Sequence, residues 1–439
     1  MRAIAITLII FATLPFILRQ PHIGIYVWSW LGYMNPHKMS WGFAMTMPFA
    51  LIVAITTFLG MMMSKEKYRI AWSRETVLLA VMVAWMFMTT VFSLYPWLAW
   101  EQWDKVWRIM LMTFVTAMLI NSEQRIKILI YVIALSIGFY GIKGGLFVLR
   151  SGGNYSVLGP GGTFIADRNS LGLALLMTVP LLYYMRMQMT NFYVRLALLA
   201  GTGLTLIAII GTHSRGALVG IVAMLVFFLL KSRQRFGVLL ALIPVAFVLY
   251  SVMPDHWFQR METIEHWEED GSASERVRAW GNAIDLANTR FIGGGMRALV
   301  HWGGRDSHSI YFGMLGEHGW LGLAMFLALL AMTWLSGNWI IRHAKRHKEL
   351  YWARDLAAMI QVSLIGYMSA GAFLGLQYFD LFYHLVVIIV MTKLIVAQRL
   401  AEFAAAGQVH GAFGWHPQPA GLPPEVGPPR PSPQGPERA

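Results

Sequence analysis

Apolar runs long enough to cross a bilayer recur along almost the whole chain, separated by short polar or basic connections. A crossing helix needs about 20 mostly apolar residues. Stretches of that kind lie near 3–18 with 22–34, then 43–63, 76–94, 105–120, 128–149, 169–186, 195–211, 215–230, 236–252, 309–337, 356–375 and 379–398. The pattern predicts an all-α polytopic membrane protein with 12–13 transmembrane helices and one large extracytoplasmic loop. Pro15 and Pro21 interrupt the first 34 residues, which read as one hairpin or as one broken helix. The run from Ile4 to Leu18 looks like a signal peptide, but no convincing small-residue cleavage site follows it, so it reads as a retained first helix.

The polar connections then give an orientation. Lys65, Lys67, Arg69 and Arg74 crowd one loop. Every second connection after it is also basic: Arg125 with Lys127, Arg186 with Arg195, Lys231 with Arg233 and Arg235, and the cluster from Arg342 to Arg354. Basic loops stay cytoplasmic, and all of these fit on that side together. The opposite side receives the Trp-rich turn 95–104, the Gly-rich loop 150–168, the turn 211–215, the long segment 253–308 and the turn 376–380. The expected organisation is N-terminal transmembrane helices over 1–252, a periplasmic loop with short helices over 253–308, C-terminal transmembrane helices over 309–403, and a disordered Pro/Gly-rich cytoplasmic tail over 404–439. Trp97, Trp100, Trp103 and Trp107 read as an interfacial anchoring stripe.

Composition narrows the class. The chain is 57% hydrophobic and 13% charged, against roughly 25% charged in a soluble domain, which excludes a water-soluble enzyme. Thirty-five Lys and Arg against 22 Asp and Glu give +13, a charge that cytoplasmic loops near anionic lipid explain without nucleic acid. With no cysteine, disulfides, thiolate metal sites and a cysteine nucleophile are excluded.

Ionisable groups at membrane depth are costly and mark functional sites. Arg215 lies in THSRGALVG, where Ser214 is placed to cap a helix and Arg215 to sit in its first turn. A cation there opposes the helix dipole unless an anion occupies the site. An interfacial arginine meeting lipid phosphate is the plain alternative. Arg276 and Arg278 lie in SERVRAWGNAI, where Arg276 shares a face with Trp280; these guanidinium groups suit phosphate, or pair with the acidic run Glu262, Glu265, Glu268, Glu269 and Asp270. His308 precedes a long apolar helix, as a base or as a cap, with His301, His318, Asp306 and Glu317 as nearby rivals. Lys143 interrupts IGFYGIKGGLF, to snorkel or to meet a phosphate. Asp380 and His384 share a helix face, as a proton relay or a self-satisfied pair, and Asp167 or Asn169 caps a helix after the Gly-rich loop. There is no Asp-x-Asp string, P-loop, G-x-S-x-G or H-E-x-x-H. His343 and His347 have ligand spacing but sit in a basic cluster and read as headgroup contacts. No metal site and no cofactor are expected.

Taken together, Asp167 and Asn169 after a Gly-rich loop, SRGALVG (Ser214 to Gly220), Arg276 with Trp280, Gly293 to Gly295, and H-S-I-Y-F…G-E-H-G (His308 to Gly319) resemble the O-antigen ligase and polymerase superfamily. The match spans roughly 160–340. The family pattern reads H-N-S-Y-L with a later A-E-x-G, so Ser309 and Ile310 depart from it. The phrase MNPHKMSWGFA is similar to a subgroup of O-glycosylation ligases associated with exosortase systems. The resemblance implies an inverting, metal-independent glycan transfer on the outer face of a bacterial inner membrane. The donor is a glycan on polyprenyl (undecaprenyl) diphosphate, and the acceptor a glycan or protein hydroxyl. It maps Arg215 and Arg276 onto diphosphate ligands and His308 onto the base or acceptor-orienting group. Arg278, Arg297, Lys143, Asp380 and His384 stay as further candidates for substrate contact. The long loop is expected to fold over a cavity and bring Arg276 and His308 toward Arg215. Three other readings remain at this point: a repeat-unit polymerase of the same superfamily, a non-catalytic transporter of lipid-linked glycan, and a structural membrane subunit.

Overall fold

The computed structural model describes residues 2–40, 42–231 and 271–412, together with Tyr250, Pro254, Asp255 and Trp257. Residues 1–396 form one compact unit. Among the described residues all regular structure is helical, and seven helices are long and apolar enough to cross a membrane. The protein is an all-α polytopic membrane protein. The helices are α1 (Arg2–Arg19), α2 (His22–Met34), α3 (Phe49–Met63), α4 (Arg74–Val91), α5 (Pro96–Leu119), α6 (Glu123–Ser151), α7 (Arg168–Gln188), α8 (Phe192–Gly211), α9 (Arg215–Lys231), α10 (Gly271–Thr289), α11 (Ala298–Trp302), α12 (Ile310–Ala344), α13 (Tyr351–Gly371) and α14 (Asp380–Ala412).

The seven are α1, α4, α6, α7, α8, α12 and the Asp380–Ala405 part of α14, fewer than the expected 12–13. Helix α2 has only 13 residues, and α3 and the apolar part of α9 are also short. Helix α5 opens on Glu101, Asp104, Lys105 and Arg108, too charged for hydrocarbon. The expected span at 236–252 and the acidic run Glu262 to Asp270 lie almost wholly outside the described residues.

The first 34 residues form a hairpin. The start of α1 (Arg2, Ala5, Ile6) lines a groove with Trp30 and Met34 from the end of α2, so the two helices run in opposite directions. Thr57 and Ile17 pack on Gly24, where a Cβ would lie 1.9 Å from the Thr57 hydroxyl oxygen. The expected tail boundary near 404 is also displaced: α14 continues to Ala412, and 413–439 lie outside the described residues. Residues 397–439 form a second unit, in which Arg399 pairs with Glu402 at 3.0 Å.

Basic connections gather at one end of the main unit. The Tyr26 hydroxyl donates to the Arg125 carbonyl at 3.2 Å, Arg125 pairs with Glu66 at 3.3 Å, and the Lys127 ammonium lies 5.6 Å from the Trp352 ring. Inside the bundle, Glu75 of α4 is 1% exposed, accepts from Ser336 of α12, and lies 3.7 Å from Lys393 of α14. A buried carboxylate needs such partners.

Helices α6 and α8 meet on a glycine face. A Cβ at Gly141 would fall 2.4 Å from the Thr205 hydroxyl, and one at Gly145 would fall 2.2 Å from the Leu204 carbonyl oxygen. Small residues let helix backbones approach where both are bathed in lipid. Gly145→Ala should therefore lower stability by about 1–3 kcal/mol through overpacking against backbone. Gly203→Ala, on the same pair of helices but with open space around its Cβ, should be neutral or mildly stabilising. Thermal unfolding midpoints of the two variants in detergent test the contrast.

Candidate active site

At the other end of the bundle two helices begin beside one another, each headed by an arginine. Asp167 caps α7: its carboxylate accepts from the amides of Asn169 (2.8 Å) and Ser170 (3.1 Å) and from the Ser170 hydroxyl. Arg168 is then the first helical residue. Ser214 caps α9 by accepting from the Ala217 amide at 3.3 Å, and Arg215 is again the first helical residue. The two starts are drawn together by the Gly-rich loop. Val157 donates to the Gly211 carbonyl at 2.8 Å, and the His213 ring meets the Gly153 carbonyl at 3.0 Å. Gly172 permits the approach, since a Cβ there would lie 3.0 Å from that of Ala217. His213 turns the chain in the left-handed region (φ 53°), a conformation that histidine tolerates better than most residues.

Between these helix starts lies a cavity of about 180 Å³. It is lined by Arg168, Asn169, His213 to Ala217, Arg276 of α10, and Ala370, Phe373 and Leu374 at the end of α13. Among the described residues its lining holds three guanidinium groups and no carboxylate. Arg276 thus reaches Arg215 from a segment some 60 residues away, whereas Arg278 is exposed elsewhere on α10 and lines neither this cavity nor the next.

A second cavity, of about 320 Å³, adjoins the first and shares Asn169 and Leu374 with it. His308 lines this one, with Asp167, Arg297, Asp306, Glu317, Gln377 and Tyr378. Arg215, Arg276 and His308 are therefore divided between two touching cavities rather than gathered in one. His308 is exposed and adopts a left-handed backbone (φ 45°) between two fully buried serines. Ser307 is fixed by the Trp280 indole, which donates to its carbonyl at 3.0 Å and stacks on Phe312 at 4.9 Å. Ser309 caps α12, accepting from the Tyr311 amide at 3.3 Å. The shared face of Arg276 and Trp280 thus has two duties: one residue enters the arginine cavity and the other holds the histidine loop.

The floor of the second cavity is built on a broken helix. Gly319 (φ 69°, ψ −176°) interrupts α12, which removes the helical donors for the carbonyls just before it. Gly294 and Gly295 donate to the carbonyls of Gly316 and Glu317, both at 2.9 Å, and the Trp85 indole donates to that of His318 at 2.9 Å. The G-G-G and G-E-H-G motifs therefore pair with each other through backbone. Only glycine fits there, because a Cβ on Gly293 would lie 2.6 Å from the Gly319 nitrogen.

Glu317 is 4% exposed and gathers three segments. It accepts from the Arg297 amide at 2.8 Å, from Gln377 at 3.3 Å and from the Tyr378 hydroxyl. His318 bridges Thr89 and Tyr378, at 2.6 Å on each side. Burial, and then the adjacent Glu317 charge, push the Tyr378 phenol well above its usual value, so it stays a neutral donor. The Arg297 side chain reaches Glu101 at 3.6 Å.

Three sequence candidates lie elsewhere. Lys143 lines the separate groove beside α1 and α2. Asp380 and His384 are buried and line neither cavity; the His384 ring meets the Tyr33 hydroxyl at 2.8 Å and the Asp380 backbone carbonyl, not its carboxylate, at 3.0 Å. His343 stacks on Trp339 within α12. Arg168 and His213 were missed by sequence reasoning, although Arg168 carries the same signal as Arg215, an arginine directly after a capping residue. Among the described residues no three His, Asp or Glu side chains cluster as a metal site would require.

Residues 200–327 match the O-antigen ligase family model. That region is similar to O-antigen ligases. Residues 1–190 match a family of unknown function (DUF5935), and no curated protein matches the chain. The region that matches the O-antigen ligase model contains Arg215, Arg276, His308 and Glu317, whereas Asp167, Arg168 and Asn169 come from the other matched region and Phe373 to Tyr378 from neither. The cavities are thus assembled across the boundary of the two matched regions.

Glu317→Ala would leave its three donors without an acceptor, at about 1–3 kcal/mol for each buried group. The variant should unfold several degrees below the parent in a detergent thermal scan. Asp306→Ala, which removes a 3.5 Å approach from the Ser307 hydroxyl, should shift the midpoint far less.

Proposed function

We propose that the protein transfers a glycan from a polyprenyl (undecaprenyl) diphosphate carrier to an acceptor hydroxyl, on the periplasmic face of a bacterial inner membrane. The family match supports O-antigen ligase/polymerase-type glycan transfer and a lipid-linked donor. The observation that carries the finer reading is the convergence of Arg168, Arg215 and Arg276, from three separate segments, on one cavity beside the cavity that holds His308.

A diphosphate leaving group gains negative charge as the glycosidic bond breaks. Fixed cations and helix N-termini aimed at that charge stabilise the transition state more than the ground state. Arginine suits the task because its planar fork matches phosphate oxygens in pairs. The acceptor oxygen attacks the anomeric carbon from the face opposite the diphosphate. The C–O bond to the carrier breaks with its electron pair on the phosphate oxygen, and His308 takes the acceptor proton. That displacement inverts the anomeric centre, and the arginines take the part a metal plays in other phosphate-leaving reactions. Asn169, at the wall common to both cavities, faces the junction between phosphate and sugar.

Arg215→Ala, Arg276→Ala and His308→Ala should each reduce transfer by about 100-fold or more while the protein remains folded and membrane-inserted. Arg215→Lys should recover little, since a point charge does not reproduce the fork. Chelators should leave the rate unchanged. Turnover of a purified lipid-diphosphate glycan by the reconstituted protein is the measurement. Parental rates in Arg215→Ala and His308→Ala, or a strict requirement for a divalent cation, would overturn the scheme.

A further inference from the structure

The two adjoining cavities have opposite chemistry. The smaller is lined by three guanidinium groups and no described carboxylate; the larger is lined by three carboxylates. Around the larger one stand Asp167, Asp306 and Glu317 against Arg297 and His308, with the amides of Gln102, Asn169 and Gln377. Most of these groups are already engaged: Asp167 caps α7, Glu317 holds three donors, and Arg297 lies 3.6 Å from Glu101. One carboxylate is held only weakly. Asp306 is half-buried, accepts from the Ser307 hydroxyl at 3.5 Å, has no cationic partner among the described residues, and abuts Gly375, where a Cβ would lie 3.2 Å from its carboxylate.

A cavity lined by three carboxylates, one of them without a cation, fits a ligand that brings donors, such as sugar hydroxyls or an ammonium. It disfavours a carboxylate, because like charges brought together at a desolvated contact repel. We infer that the larger cavity seats the sugar ring attached to the diphosphate, that this ring is uncharged or an amino sugar rather than a uronic acid, and that Asp306 sets the discrimination. The inference rests on the glycan-transfer reading and adds the charge class of its donor. Asp306 is here a specificity residue, two positions before the proposed base.

The test uses the full chain in lipid nanodiscs and two polyprenyl-diphosphate donors that differ only in their first sugar, glucose or glucuronic acid. Both donor binding and product formation are measured. The glucose donor should be preferred by about tenfold or more in both. Asp306→Asn should shrink that preference, chiefly by improving the glucuronic donor, and Asp306→Glu, which keeps the charge, should retain it. Equal affinities of the parent protein for the two donors, or a preference unchanged in Asp306→Asn, would overturn the inference. Binding is read without turnover, so it decides the question even where no product forms. Absence of product from both donors would instead count against the transfer reading.

Discussion

The break of α12 at Gly319 is the constraint on which the larger cavity depends. An intact helix would consume the carbonyls of Gly316, Glu317 and His318 internally. Broken, it offers them to Gly294, Gly295 and Trp85, and so binds the segment after α10 and the end of α4 to one point. The left-handed turn of Arg297 (φ 60°) and the 376–379 loop are then fixed by the Glu317 side chain. An unpaired backbone group buried in a membrane protein costs several kcal/mol. The interruption persists because the carbonyls of Gly316, Glu317 and His318 have each found a donor outside the helix.

The smaller cavity rests on a different device, two helix starts held side by side. Each places an arginine at the first helical position, where a cation is disfavoured by the dipole. One such arrangement has an easy structural explanation in lipid phosphate. Two, joined by a third guanidinium from α10, line one cavity, and that convergence is the basis of the diphosphate site proposed above. The capping residues Asp167 and Ser214 do not lie at the centre of this chemistry, yet they fix which residue comes first in each helix and so aim Arg168 and Arg215.

Local chemistry was legible in the sequence. The caps at Asp167 and Ser214, the first apolar helix, and the shared face of Arg276 and Trp280 all follow from short-range patterns. Long-range partners were not. Four-residue spacing puts Asp380 and His384 on one face, but it does not say that this face turns toward Tyr33 and away from the cavities. The pairing of Gly293 to Gly295 with the Glu317 turn has no periodic signature, because it is backbone to backbone across α11. The position of Lys143 was available in principle. Gly141, Gly144 and Gly145 mark the face of α6 that packs against neighbouring segments, and Lys143 lies on the opposite side of that helix.

The juxtaposition of an arginine-lined and a carboxylate-lined cavity bears on the proposed chemistry as a whole. A glycosyl diphosphate is itself divided, with all its charge at one end and hydroxyl donors at the other. A uniformly basic pocket would bind the phosphates but would leave its own donors facing hydroxyl groups. A uniformly acidic pocket would hold the sugar and repel the carrier. On the proposed reading, with the two separated by a wall bearing the neutral amide of Asn169, the molecule would enter in one orientation, its scissile bond at the change of sign. Positioning of that kind is worth as much to a displacement as the base that completes it.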